Sequence, residues 1–150
     1  MVATKIVYCV RNFLSGVKIK ILLEKIPTVE IIGEFYNDEA LINQLNTLKP
    51  DIVIYDLKSN KLTDFINIQK ILSQNSMLKL IVAGSYEDSR TIAIALSSGA
   101  KAYVLKKDLT EKDLLNAIKC TNKNKYYISG CCENKFENIS KKIQINMFLI

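Results

Sequence analysis

Short apolar runs alternate along the chain with longer stretches in which apolar residues recur every three or four positions. The plainest run is DIVIYD, residues 51–56, where three β-branched residues and a tyrosine lie between two aspartates, behind Lys49 and Pro50. A wholly apolar, β-branched run of this length predicts a strand buried on both faces, as in a parallel sheet. Similar runs predict strands over residues 5–10, 29–33, 78–83 and 102–105. The intervening stretches have helical spacing. Residues 13–26 place Phe13, Leu14, Val17, Ile21 and Leu22 on the expected core face, and Pro27 stops the helix. Asn37 is an N-cap for residues 38–48, with Leu41, Ile42, Leu45 and Leu48 on one side. A third helix, 62–72, carries a wide apolar face that includes Phe65, Ile66, Ile68 and Ile71. Ser85 and Asp88 resemble a capping box opening a helix over 88–98, which Gly99 closes. Thr110, with Asp113 three residues on, opens a last helix that runs to about residue 120 and buries Leu114, Leu115 and Ile118.

Strands alternating with helices through short connections require crossovers, and hence parallel pairing. The expectation is an α/β fold: a flavodoxin-like, doubly wound, five-stranded parallel sheet in the order 2-1-3-4-5, with five flanking helices and a C-terminal tail. The switch point of that order lies between the first and third strands, whose carboxyl ends deliver Val10, Arg11 and Asp56 to one crevice. Residues 1–128 form the expected domain. Residues 129–150 are a linker or tail, in which 133–150 has helical spacing through Phe136, Ile139, Ile143, Met147 and Ile150.

Composition narrows the chemistry. The 150 residues are 49% hydrophobic and 24% charged, which suits a single globular domain. No apolar run approaches the ~20 residues that span a bilayer, and the N-terminus lacks a signal-peptide pattern, so a cytoplasmic protein without membrane contact is expected. Histidine is absent, and the four cysteines, at 9, 120, 131 and 132, form no Cys-x-x-Cys spacing. That removes histidine-based acid–base catalysis and the commonest zinc sites. Cys131 and Cys132 are read as reduced thiols. The net charge of +6 is spread over scattered lysines rather than a basic helix face, which argues against direct nucleic-acid binding. The first turn, VRNFLSG at 10–16, lacks a glycine-rich phosphate loop, which disfavours the alternative of a flavodoxin-like cofactor protein. No enzymatic activity is expected.

The order of elements, the aspartate closing the third strand and the lysine closing the fifth resemble a response-regulator receiver domain. PTVEIIGEF (27–35), LKPDIVIYDL (48–57) and SSGAKAYVLK (97–106) are similar in wording to receivers of the LuxR/FixJ type. The resemblance covers about residues 4–128. It implies that Asp56 is the phosphoacceptor position, Lys106 the lysine that contacts the phosphoryl group, and Tyr103 the aromatic switch. It also implies a two-component setting. A histidine kinase or other signalling protein stands upstream, a homodimer is possible, and the output is transcriptional. DNA would be bound only through a C-terminal domain for which the residues after 128 are too few, so the chain reads as a piece of a longer regulator or a stand-alone receiver.

Three departures from the family pattern fall on the same crevice. The acidic pair that ends the first strand and holds magnesium is replaced by Val10 and Arg11. The hydroxyl residue ending the fourth strand falls on Gly84, with Ser85 beside it. The proline that follows the phosphoacceptor is missing from the KSNK stretch at 58–61. Magnesium is held by one or two carboxylates together with phosphate and water, and phosphoryl transfer relies on it to offset charge. With Asp56 alone, the site is expected to bind no metal or other cofactor. Arg11 and Lys106 are expected to flank Asp56 in place of the ion. The expected function is that of a pseudo-receiver, signalling without metal-dependent phosphorylation; the alternative is a receiver phosphorylated at Asp56.

Overall fold

The computed structural model describes residues 2–129. The elements run β1 (Thr4–Cys9), α1 (Phe13–Glu24), β2 (Val29–Phe35), α2 (Asp38–Leu48), β3 (Ile52–Asp56), α3 (Leu62–Leu72), β4 (Lys79–Gly84), α4 (Ser89–Ser97), β5 (Ala102–Leu105), α5 (Glu111–Asn122) and β6 (Tyr127–Ile128). The sheet order is β2-β1-β3-β4-β5-β6, and every pairing is parallel. This is the flavodoxin-like sheet expected, extended by a sixth short strand. The helical spacing noted for 133–150, and Cys131 and Cys132, lie outside the described residues.

β3 is buried at all five positions, as an apolar run in the middle of a parallel sheet must be. Its register sets Ile54 beside Tyr8 on one side and Ile81 on the other. Two core layers cover the sheet. One joins Val53, Tyr55 and Val82 to Leu41 and Leu45 of α2, Phe65 and Ile68 of α3, and Ile92 and Leu96 of α4. The other joins Ile54, Ile81 and Val104 to Ile19 and Leu23 of α1, and Leu114 and Ile118 of α5.

The helix over 13–24 forms, but apart from Leu22, which packs partly buried against the core, the face expected to be buried is the exposed one. Phe13, Leu14 and Ile21 are 69%, 78% and 49% exposed, whereas Gly16, Ile19 and Leu23 are buried. Eight of the twelve positions of α1 carry no polar group, so periodicity alone does not choose a face. Gly16 chooses it. A Cβ there would lie 2.7 Å from Glu34 Oε1, the movable end of its side chain, and 3.3 Å from Val10 Cγ2, so glycine eases the close approach of this face to the sheet. Ile19 and Leu23 follow on the next turns of the same face.

The entry to α4 also differs from expectation. Asp88, not Ser85, is the N-cap: its carboxylate accepts from the Thr91 backbone N–H at 3.0 Å and from the Thr91 hydroxyl at 2.7 Å. The caps expected at Asn37 and Thr110 form as read, accepting from Ala40 N at 2.8 Å and Asp113 N at 3.1 Å. Gly99 follows α4 at φ +119°, a left-handed conformation that suits glycine.

Candidate functional site

Parallel strands deliver their last residues to one rim, and here that rim gathers charge. Asp56 ends β3 with its side chain 2% exposed. Lys106, the first residue after β5, places Nζ 2.7 Å from Asp56 Oδ1. The backbone N–H of Arg11, just beyond β1, donates to Asp56 Oδ2 at 3.2 Å. Both carboxylate oxygens therefore accept a hydrogen bond from within the chain. A small cavity of about 40 Å³ lies beside the carboxylate, lined on its apolar side by Val10, Ile54 and Ala83. That is room for ordered water.

Arg11 approaches Asp56 differently from the sequence expectation. Its Nε donates to the backbone carbonyl of Asp56 at 3.1 Å, while Nη2 lies 3.0 Å from Asp38 Oδ1. Nη2 and the Asp38 carboxylate thus form an ion pair. The cation therefore does not take the place of a metal beside the Asp56 carboxylate; the charge facing that carboxylate is Lys106. Two pairs result, Lys106 with Asp56 and Arg11 with Asp38.

Asp38 is the residue that sequence reasoning assigned only to a helix start. It sits in the first turn of α2, where a carboxylate is favoured by the helix dipole. Its Oδ2 accepts from the Tyr55 hydroxyl at 2.8 Å and from Asn67 Nδ2 at 2.9 Å, and Cys9 Sγ lies 3.8 Å from Oδ1. The guanidinium carbon of Arg11 stands 5.0 Å from the Tyr55 ring centroid, within cation–π range. Burial works against the charge on Arg11, but the neighbouring Tyr55 and Asp38 outweigh it and raise its pKa. Burial, reinforced by the hydrogen bond to Asp38, raises Tyr55 well above the usual phenol range. Among the described residues no group of three or more His, Cys, Asp or Glu side chains is placed to hold a metal ion.

Of the remaining positions singled out from sequence, Val10 is a buried wall of the cavity, 2% exposed. Gly84 ends β4 beneath the ring of Tyr103. Ser85 is exposed on the β4–α4 loop and does not line the cavity. Tyr103 is fully buried, and its hydroxyl donates to the Tyr86 carbonyl at 2.9 Å. The donor set does not fit magnesium. A hard cation wants several oxygen ligands at about 2.1 Å in octahedral array. The site offers one carboxylate, already bonded through both oxygens, with an apolar and a cationic side chain where further carboxylates would stand.

Burial also pushes the Cys9 thiol up to about 12 and, aided by Glu34, the Tyr8 phenol up to about 12. The sign of the linkage follows. The unfolded chain loses these protons near the ordinary values of 9.0 and 10.0, while the native chain keeps them to higher pH. Folding stability is therefore full below about pH 9 and falls as pH rises toward 12. Urea denaturation across that range is expected to show the fall, with a shallower onset in Cys9→Ser. An unchanged onset in that variant would rule out the Cys9 contribution.

No protein-family model matches the chain. It is 27% identical over 100 residues to the nitrate/nitrite response regulator protein NarL of Escherichia coli strain K12, covering 67% of this chain and 46% of that protein. It is 33% identical over 78 residues to the uncharacterized transcriptional regulatory protein YhcZ of Bacillus subtilis, covering 52% of this chain and 36% of that one. The non-phosphorylated receiver domain of the stress response regulator RcsB from Escherichia coli superposes with a TM-score of 0.73 at 26% identity, over 84% of this chain and 98% of that domain. The chain thus spans less than half the length of either curated relative. With the fold and the rim in place, these likenesses support a receiver domain similar to those of response regulators of the LuxR/FixJ type.

Proposed function

We propose that this receiver is a pseudo-receiver, passing a signal without magnesium-dependent phosphorylation of Asp56. The observation that carries the reading is the occupancy of the Asp56 carboxylate, with Lys106 on Oδ1 and the Arg11 N–H on Oδ2. The carboxylate that must attack a phosphoryl donor is held by its neighbours, and the charge a divalent ion would supply comes from Lys106 instead. A unit pair about 4 Å apart is worth on the order of 4 kcal/mol at an effective dielectric near 20, before desolvation. The side chains of Val10 and the paired Arg11 offer no oxygen to an ion. A flavin-type cofactor is disfavoured at this rim, because the cavity of about 40 Å³ is far below the roughly 300 Å³ at which ligand pockets begin.

The partners that go with this reading are a histidine kinase or other signalling protein, a second copy of the chain, and a transcriptional output. DNA would be reached through a separate domain. The name of YhcZ, a transcriptional regulatory protein, supports that output. The test is intact-mass analysis after incubation with acetyl phosphate and magnesium. The expected result is an unmodified protein whose melting temperature does not respond to millimolar magnesium. Ready phosphorylation at Asp56 would sink the reading and leave the phosphorylatable receiver in its place.

A further inference from the structure

The end of β4 and the middle of β5 lie side by side in the sheet, with Val82 opposite Tyr103. Tyr103 is wholly buried within the core layer that also holds Ile92 and Leu96 of α4. Its ring reaches over Gly84. A Cβ built on Gly84 would meet the Tyr103 hydroxyl at 2.1 Å, Cζ at 2.6 Å and Cε2 at 3.1 Å. Even the smallest side chain at 84 and the present position of Tyr103 therefore exclude each other. The tyrosine hydroxyl in turn holds the backbone of Tyr86, two residues before the Asp88 cap of α4. One side chain thus ties β5 to the loop that sets the entry of α4.

From this geometry we infer that Gly84 and Tyr103 form a permanent latch, fixing the β4–α4 loop and the α4–β5 face in one arrangement whatever the state of Asp56. The glycine removes the only atom at 84 that would compete with the ring for this space. The buried ring has no reason to leave. Outward rotation would empty core volume and strand the hydroxyl's hydrogen bond to Tyr86, both of which are unfavourable. This deepens the pseudo-receiver reading by naming which part of the molecule is held still, but it stands on different atoms from those around Asp56.

The test is residue-resolved nitration by tetranitromethane, with exposed Tyr126 as the internal reference, combined with thermal unfolding. In the wild-type chain Tyr103 is expected to stay protected both with and without acetyl phosphate and magnesium. In Gly84→Ala it is expected to react at least about tenfold faster, because the loop now opens locally, while Tyr126 is unchanged. Should Gly84→Ala prove too unstable to nitrate, the paired backgrounds decide. The drop in melting temperature caused by Gly84→Ala should largely vanish in a Tyr103→Leu background. Tyr103 still protected in Gly84→Ala, or equal drops in the two backgrounds, would overturn the latch. So would exposure of Tyr103 in the wild-type chain on adding the phosphodonor. Phosphorylation of Asp56 with Tyr103 still protected would end the pseudo-receiver reading and leave the latch standing.

Discussion

Replacing Lys106 by methionine is expected to lower the unfolding free energy by about 2–4 kcal/mol, well above the typical point substitution. The stem of the side chain is kept, so the loss is one of charge. Asp56 remains buried with its carboxylate 2% exposed and only the Arg11 N–H on Oδ2 for compensation. An uncompensated buried charge is the most expensive thing a single substitution can leave behind. Lysine is 32% exposed, which is why the figure sits at the lower end of the range for buried pairs. The converse change should be mild. Asp56→Asn removes the charge, retains an acceptor, and leaves Lys106 able to reach water, at a loss of about 1 kcal/mol. The double variant should be more stable than Lys106→Met alone. Equilibrium urea denaturation measures all three, and a Lys106→Met protein no weaker than Asp56→Asn would show that Asp56 is solvated by something other than its lysine.

Asp38→Ala is expected to lose more, about 3–5 kcal/mol. One carboxylate serves the Tyr55 hydroxyl, the Asn67 amide and the Arg11 guanidinium together. Tyr55 is 0% exposed, so its hydroxyl would lose its acceptor at a buried position. Asp38→Asn, which keeps an acceptor oxygen, should recover part of the loss. The two variants separate in a second measurement. Because Asp38 is one of the causes holding the Tyr55 phenol protonated, its removal should bring that tyrosine's titration down toward the normal range, though burial will keep it from arriving there. Ultraviolet titration of the folded protein would read this, and no shift would mean that Tyr55 is governed by burial alone.

How much of this was legible in the sequence depends on whether a residue's role is local or distant. The strand over 52–56, the helix over 38–48 with its Asn37 cap and the short strand over 102–105 follow from patterns a few residues long, and the structure has them at those places. Asp56 and Lys106 come to one rim because the strand order dictates it, and that order follows from the alternation of elements. The face of α1 did not follow, because eight of its twelve residues carry no polar signal to break the tie and the decision belongs to Gly16 and the sheet behind it. Asp38 was hidden for a similar reason. An acid in the first turn of a helix is ordinary, and its four partners, at 9, 11, 55 and 67, come from three other elements and the loop after β1. Arg11 was placed near Asp56 by its position after β1, but the direction of a long guanidinium arm is set by the nearest carboxylate with space around it, which only the fold reveals. The sixth strand was missed because two residues are too few to show a period.

That sixth strand is followed by Ser129, whose backbone N–H donates to Tyr103 O at 3.0 Å and whose hydroxyl accepts from Leu105 N at 2.9 Å while donating to Asp113 Oδ2 at 2.8 Å. A side chain here continues the ladder one rung beyond the last backbone pair. The outer margin of β5 is left with no vacant rung on which an extended peptide from another molecule might zip. On the opposite margin, β2 presents Glu30 and Glu34 to solvent, and charge on an edge discourages the same event. Among the described residues, the β5 margin is thus already taken by the chain itself, and the β2 margin is guarded by acidic side chains against pairing with a strand of another molecule.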